Sequence, residues 1–254
     1  MDIRDNFPIL ICHKIIRGLP LDSTAISPSK FKTIIKSLYD EHYTFLTLKE
    51  ANNTSVRKGV IFCFDDIYNH LVPLFLELSE NYSFKATLFT IAGYLGTYNF
   101  WEPLPGKRVK HISQDETILL SACGYEIGSH TLTHPDLIHL PPEKLYQELY
   151  ISKDILEQLI KKEITSISFP FSRIDDSIAK IAWEIGYRNS AVLRKHSLKA
   201  DWIKCGWGVY KWDNHRSVKR KMNGNNSERL LLNLVSKCSY FSALLRNLLY
   251  EQKK

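Results

Sequence analysis

The sequence predicts an α/β fold: a parallel sheet closed into a barrel, with helices outside. Three observations lead there. Short apolar runs alternate with segments of three-four apolar spacing about seven times, the signature of repeated strand and crossover-helix units. Residues able to do chemistry (His13, Asp65, Asp66, His130, and Pro170 with Phe171) fall just after predicted strands, and a parallel barrel gathers its chemistry at the carboxyl ends of strands. The length, 254 residues, suits one barrel as a single domain spanning 1–254.

Each element has a local reason. Phe7–Cys12 is a short apolar run and reads as a buried strand. Pro28 opens a helix whose stripe is Phe31, Ile34, Ile35 and Leu38. Thr44–Leu48 and Val60–Phe64 read as strands, Tyr68–Tyr82 as a helix with Leu71, Leu74, Phe75 and Leu78 on one face, and Ala86–Ile91 as a strand. A loop follows from 92 to 111. Ser113 with Glu116 three residues on predicts a capped helix over 114–123, stopped by Gly124. Strands are expected at 125–128, 166–169 and 190–193, and helices at 142–162 and 177–185, the latter ended by Gly186. The stretch 187–212 otherwise gives no clear period. A last helix is expected over about 227–250.

Composition narrows the function. Hydrophobic content of 44% fits a globular protein with a large core. The net charge of +7 is scattered, and its one dense run, Lys219-Arg220-Lys221, reads as a solvated helix face. No zinc-finger spacing or aromatic-basic single-strand motif appears, so no nucleic-acid partner is expected. Five cysteines at long spacings read as reduced thiols. The first residues are acidic and lack a basic start followed by an apolar core, so a cytoplasmic protein is expected.

Asp65 and Asp66 end an apolar strand, and Ser129-His130-Thr131-Leu132-Thr133-His134-Pro135 follows a later one. Asp66, His130 and His134 form a candidate metal set: one carboxylate and two imidazoles suit zinc and neighbouring first-row ions, and three protein ligands leave room for water and substrate. Asp65 is then a spare carboxylate and the candidate base, acting on water whose pKa a metal lowers towards roughly 7. The bland alternative makes the acids helix caps and the histidines loop residues. His42, His70, His111, His139, His196 and His215 lack such context and read as structural or surface residues.

These residues resemble the polysaccharide deacetylases, the NodB-homology carbohydrate esterases. Phe64-Asp65-Asp66 is similar to the family's first motif, His130 to Pro135 to its second, and Phe169-Pro170-Phe171 to its third. The resemblance covers about residues 8–222. It implies a distorted (β/α)7 barrel and a divalent metal, zinc first, with nickel, cobalt or iron as alternatives. It also implies hydrolysis of an acetyl group, N-acetyl ahead of O-acetyl, from a sugar. It assigns Asp65 as base, Asp66, His130 and His134 as metal ligands, and Pro170 and Phe171 to the substrate groove.

Three departures are visible. Ile67 stands where glycine is usual. Ser168 stands where many members carry an arginine that orients the base, with Arg173 downstream as a candidate substitute. No late Leu-x-His supplies an acid. The poly-N-acetylglucosamine deacetylase branch places that histidine after the first strand, and Leu10-Ile11-Cys12-His13 is similar to it, so the resemblance makes His13 the general acid.

The expected substrate is an acetylated sugar of an intracellular glycan or glycan precursor. Trp101 and Trp212 are candidate sugar-stacking rings or core residues. The final helix carries a wide apolar stripe for packing on the barrel or on a second subunit, with peripheral membrane contact as the alternative. The rival functions are a catalytically weak or inactive glycan-binding barrel and hydrolysis of a non-sugar amide.

Overall fold

A computed structural model describes residues 7–16, 24–100, 108–193, 198–225 and 228. The chain enters on β1 (Ile9–Cys12), passes through β2 (Lys14–Ile15) and β3 (Ala25–Ile26), which pair with each other, and runs into α1 (Pro28–Asp40). There follow β4 (Thr44–Leu46), α2 (Leu48–Ala51), β5 (Gly59–Phe64), α3 (Val72–Tyr82), β6 (Thr87–Thr90) and α4 (Gln114–Ala122). Then come β7 (Glu126–Ser129), α5 (Pro142–Ile160), β8 (Ser166–Ile167), α6 (Asp176–Ile185), β9 (Asn189–Val192), β10 (Ile203–Cys205), β11 (Trp207–Gly208) and α7 (His215–Met222).

The main sheet runs β10-β9-β8-β7-β6-β5-β1-β11, with β4 beside β5, and its pairings are parallel. Its two end strands, β10 and β11, are consecutive in the chain. Gly206 joins them, donating to Val192 O at 2.8 Å on one side, while Val209 N donates to Ile11 O at 2.8 Å on the other. The stretch 203–208 therefore lies along both edges and nearly closes the sheet into a barrel. Taken as one stave with β1, β5, β6, β7, β8 and β9, it makes seven, the distorted (β/α)7 barrel the family resemblance implies. Gly206 is required at the seam, because a Cβ there would meet Ile11 Cδ1 at 2.9 Å and Ile9 Cγ2 at 3.1 Å.

Period-two alternation sorts the strand residues. Ile9, Ile11, Ile61, Cys63, Phe89 and Ala191 join one buried cluster inside the barrel. Leu10, Cys12, Val60, Phe62, Phe64 and Leu88 pack outward with the helices in a larger cluster. That outer layer holds edge-to-face aromatic pairs, Phe31 with Phe64 at 5.6 Å and Phe64 with Phe75 at 4.9 Å, each worth about 0.5–1.5 kcal/mol beyond area burial. Cys12 and Cys63 are buried free thiols whose pKa values desolvation raises. Among the described residues, no helix is long and apolar enough to cross a membrane.

The amino end of the barrel is polar. Glu126 accepts hydrogen bonds from Thr87 Oγ1 at 2.8 Å, from Lys49 N at 3.1 Å and from Ser166 Oγ. Burial raises the Glu126 carboxyl, and these donors only partly offset it. With its folded pKa above the unfolded one, Glu126 contributes most stability below the ordinary carboxylate range and loses it as pH rises through the raised value. Glu126→Gln keeps an acceptor for Thr87 and Lys49 and removes the ionisation cost. Its Tm is expected to exceed wild type at pH 8, with the gap shrinking towards pH 4.5 in a thermal-shift series; a pH-independent gap would contradict this.

The structure departs from sequence expectation in several places. Helix α3 starts at Val72, not Tyr68, because Pro73 sets its first turn and a short 3-10 turn, Asn69–Leu71, precedes it. Thr47 and Glu50 form a capping box that turns the end of the expected strand into α2. In the unresolved-by-pattern stretch lie β10 and β11, and α7 follows, capped by Asn214. The basic run on α7 is a solvated face only in part: Lys219 and Arg220 are exposed to solvent, and Lys221 is not. Lys221 is buried, pairing with Asp213 at 2.5 Å and donating to Gly208 O at 2.8 Å. Lys219 pairs with Glu41 and Arg220 with Glu228. The helix expected over 227–250 lies outside the described residues, apart from Glu228.

Candidate active site

Two neighbouring strand ends supply the first half of the site. Strands β1 and β5 pair in register, Ile11 opposite Cys63 and Cys12 opposite Phe64, and Asp65 N extends the ladder to Cys12 O at 2.9 Å. Alternation carries Ile9 and Ile11 inward, and His13 next; it does the same for Ile61, Cys63 and then Asp65. His13 Nε2 stands 3.7 Å from Asp65 Oδ2. Asp66 would point away in an extended chain, but its left-handed backbone (φ 54°) breaks the alternation and turns its carboxylate to the same end of the barrel.

The end of β7 supplies the second half. Asp66 Oδ1 lies 3.5 Å from His130 Nε2 and 3.7 Å from His134 Nε2, with all three residues buried. These gaps exceed the ~2.9 Å of an ordinary N–H···O bond. Two donors each about 2.1 Å from a tetrahedral zinc sit about 3.4 Å apart, so the spacing suits one shared cation. The three donor atoms lie within 4.8 Å of one another and could hold a metal ion. His130 Nδ1 is 2.8 Å from Ser168 O, a pure acceptor, so that nitrogen carries the hydrogen and Nε2 keeps its lone pair for a metal. The residues present therefore fit a divalent ion of the zinc class.

Strain gathers here. Besides Asp66, Thr131 (φ 66°), His134 (φ 58°), Phe171 (φ 60°) and Ser172 (φ 51°) are non-glycine residues in left-handed backbone, each costing of order 1–3 kcal/mol and persisting only where its surroundings hold it. The surroundings do so. Glu148 on α5 accepts from Leu132 N, Thr133 N and Thr133 Oγ1 at 3.0, 2.8 and 2.6 Å. Ala92 N and Gly93 N donate to Thr131 O and Leu132 O at 3.1 and 2.8 Å. Ile67 O, beside Asp66, accepts from His111 Nδ1 and Ile112 N, both at 3.2 Å. His111 is buried and stacked on Tyr68 at 4.9 Å; burial and the nearby His130 hold its pKa down to about 4, against the raising effect of the Ile67 bond, so it is neutral.

The Asp65 carboxyl is pushed up by burial, with His13 and the Ser168 hydroxyl pulling it down. Ser168 thus occupies the neighbourhood where the family resemblance expects an arginine. Arg173 does not substitute for it: its guanidinium pairs with Asp136, whose side chain is fully buried, and ties the two loops that follow β7 and β8. Pro170 is buried, and Phe171 packs edge-on against His134 at 4.9 Å. His139 faces Asp136 at 3.7 Å on an exposed side chain, apart from the cation set. Trp212 stacks on Tyr210 at 5.3 Å, and Trp101 lies outside the described residues.

Residues 52–190, more than half of the chain, match one family model, described as polysaccharide deacetylase. The chain belongs to the polysaccharide deacetylase family. YxkH of Bacillus subtilis (strain 168), a protein assigned to the polysaccharide deacetylases, is 28% identical over 189 residues, 72% of this chain. The chain spans 63% of the length of that relative. Among solved structures, the Streptococcus pyogenes deacetylase PplD in complex with acetate superposes with a TM-score of 0.72 at 21% identity, covering 85% of this chain and 97% of that one. IcaB from Ammonifex degensii gives 0.69 at 17% identity, covering 86% and 97%. Identities this low show a shared fold.

Sequence reasoning did not find Glu148, Gly93 or the bracing role of His111. Each acts through backbone groups far away in the chain. Gly93 carried a faint signal as a glycine two residues beyond a strand: a Cβ there would sit 2.6 Å from Leu132 O.

Proposed function

We propose that this deacetylase removes an acetyl group, N-acetyl in the first instance, from a sugar, with a divalent metal held by Asp66 Oδ1, His130 Nε2 and His134 Nε2. The observation that carries the reading is the convergence of those three atoms beside a second carboxylate, Asp65, that is not among them. When bound, such a metal supplies Lewis acidity, lowering the pKa of water and polarising the acetyl carbonyl.

The chain's own residues account for the proton movements. Asp65 takes a proton from the attacking water, as a buried carboxylate with one neighbouring hydroxyl. His13, on the next strand and partly exposed, gives a proton to the departing sugar nitrogen. Phe171, held in left-handed backbone at the rim, offers its N–H to the carbonyl oxygen as negative charge develops. Its ring and Pro170 wall the groove. The placement of His13 supports membership of the branch with an N-terminal acid. The complex of PplD with acetate supports acetate as the product.

The experiment is acetate release from a panel of N- and O-acetylated sugars by metal-loaded protein, by chelator-treated protein and by treated protein resupplied with zinc, nickel, cobalt or iron. Acetate from at least one N-acetyl sugar, lost on chelation and restored by metal, is expected. Silence across the panel, or turnover indifferent to chelation, overturns the reading.

A further inference from the structure

We propose that Glu148 is a positioning residue for metal binding: its carboxylate holds the 131–134 loop so that His134 reaches the cation shared with Asp66 and His130. The inference rests on the metal reading above. Glu148 lies on α5, and what it touches is a loop. One carboxylate oxygen takes the N–H groups of Leu132 and Thr133, and the other takes the Thr133 hydroxyl. Leu132 N also lies 3.2 Å from the main-chain oxygen of Glu148.

From the opposite side the turn after β6 takes the loop's carbonyls, with Ala92 N on Thr131 O and Gly93 N on Leu132 O. Successive donors and acceptors of one short loop are thus gripped by two elements remote from each other in sequence. The grip has a reason. Thr131 and His134 both hold left-handed backbone, which side-chain-bearing residues leave when released. The loop is anchored again inside, where Thr131 N donates to Ser129 Oγ at 3.1 Å and His134 N to Thr131 Oγ1 at 3.0 Å. Ser129 Oγ in turn meets Ser152 Oγ of α5 at 2.7 Å. Helix α5 is therefore the frame on which the two histidine ligand positions are set. Without the Glu148 carboxylate the N–H and hydroxyl of Thr133 lose this acceptor and Leu132 N–H keeps only the longer bond to the Glu148 main-chain oxygen, so the loop relaxes at the end that carries His134.

The test is zinc affinity, read by competition with a chromophoric chelator, alongside the Tm of the metal-free protein. Glu148→Ala is expected to bind zinc about 10- to 100-fold more weakly, the range for losing a group that orients a ligand. Glu148→Gln is expected to stay within a few-fold of wild type, because one amide oxygen still accepts both N–H groups and the Thr133 hydroxyl turns to accept from the amide nitrogen. Thr133→Ala, which removes one bond of three, is expected to fall between them. The visible spectrum of bound cobalt should change in Glu148→Ala and hold in Glu148→Gln. A folded Glu148→Ala with wild-type zinc affinity overturns the proposal, even if its Tm falls, and so does a Glu148→Gln as impaired as the alanine. If Glu148→Ala does not fold, Thr133→Ala decides: unchanged zinc affinity overturns the proposal, a several-fold loss supports it. A wild-type chain that binds no zinc, cobalt, nickel or iron removes the metal reading itself, and the clasp with it.

Discussion

Asp65→Asn is expected to lower kcat for acetate release by about 10²–10⁴-fold, the range for losing a general base. Asparagine has the same shape and the same place at the end of β5, and it cannot take a proton. Metal binding should be untouched, since Asp65 lies outside the three-atom set of Asp66, His130 and His134. The metal-free Tm is expected to hold or rise, because burial works against the charge that the substitution removes. The informative measurement is kcat on a responsive sugar with zinc content measured on the same sample. Turnover within tenfold of wild type at full occupancy would take Asp65 out of the mechanism.

His130→Ala is expected to abolish acetate release by removing the metal, with zinc affinity falling more than the roughly 10–100-fold that loss of an outer orienting group costs. The imidazole sits between two fixed points. Its Nδ1–H donates to Ser168 O at 2.8 Å, and its Nε2 faces Asp66 Oδ1 at 3.5 Å. Alanine leaves the buried Ser168 carbonyl without that donor, a cost of about 1–3 kcal/mol in stability. Equilibrium dialysis against zinc separates the two consequences. Retained stoichiometric zinc would show that His130 is no ligand; lost zinc with a modest drop in Tm is the expected pair.

Much of the site can be read from strand alternation. Counting Ile9, Ile11, His13 along one strand and Ile61, Cys63, Asp65 along the next puts the His13 and Asp65 side chains on the inner face, and β1–β5 pairing makes them neighbours. Asp66 defeats the same count: alternation sends it outward, and only a left-handed turn, which no local residue type announces, brings it back. The candidate metal pair His130 and His134 was visible as spacing, and the loop that shapes it was not. Its supports lie on α5 and after β6, and a carboxylate in mid-helix looks like any solvated one. Lys221 shows the converse error. A dense basic run carries the pattern of an exposed face, and Lys219 and Arg220 keep to it, yet Lys221 is buried against Asp213 and the Gly208 carbonyl, and Lys219 is paired 178 residues back with Glu41. The strands β10 and β11 were hidden because three- and two-residue segments give no measurable period.

The seam made by residues 203–208 carries a consequence for how the chain matures. On a ribosome β1 emerges first and β9 near the end, and neither gains its outer neighbour until the short segment around Gly206 has left the tunnel. Until then two backbone edges stand bare, the condition under which parallel sheets associate wrongly with other chains. Closure joins Ile11 to Val209, a contact between opposite ends of the described chain, and such distant pairings are slow to form. The last rung laid is also the one that fixes the strand leading to His13, so the pairing of His13 with Asp65 should be among the final contacts a newborn molecule acquires.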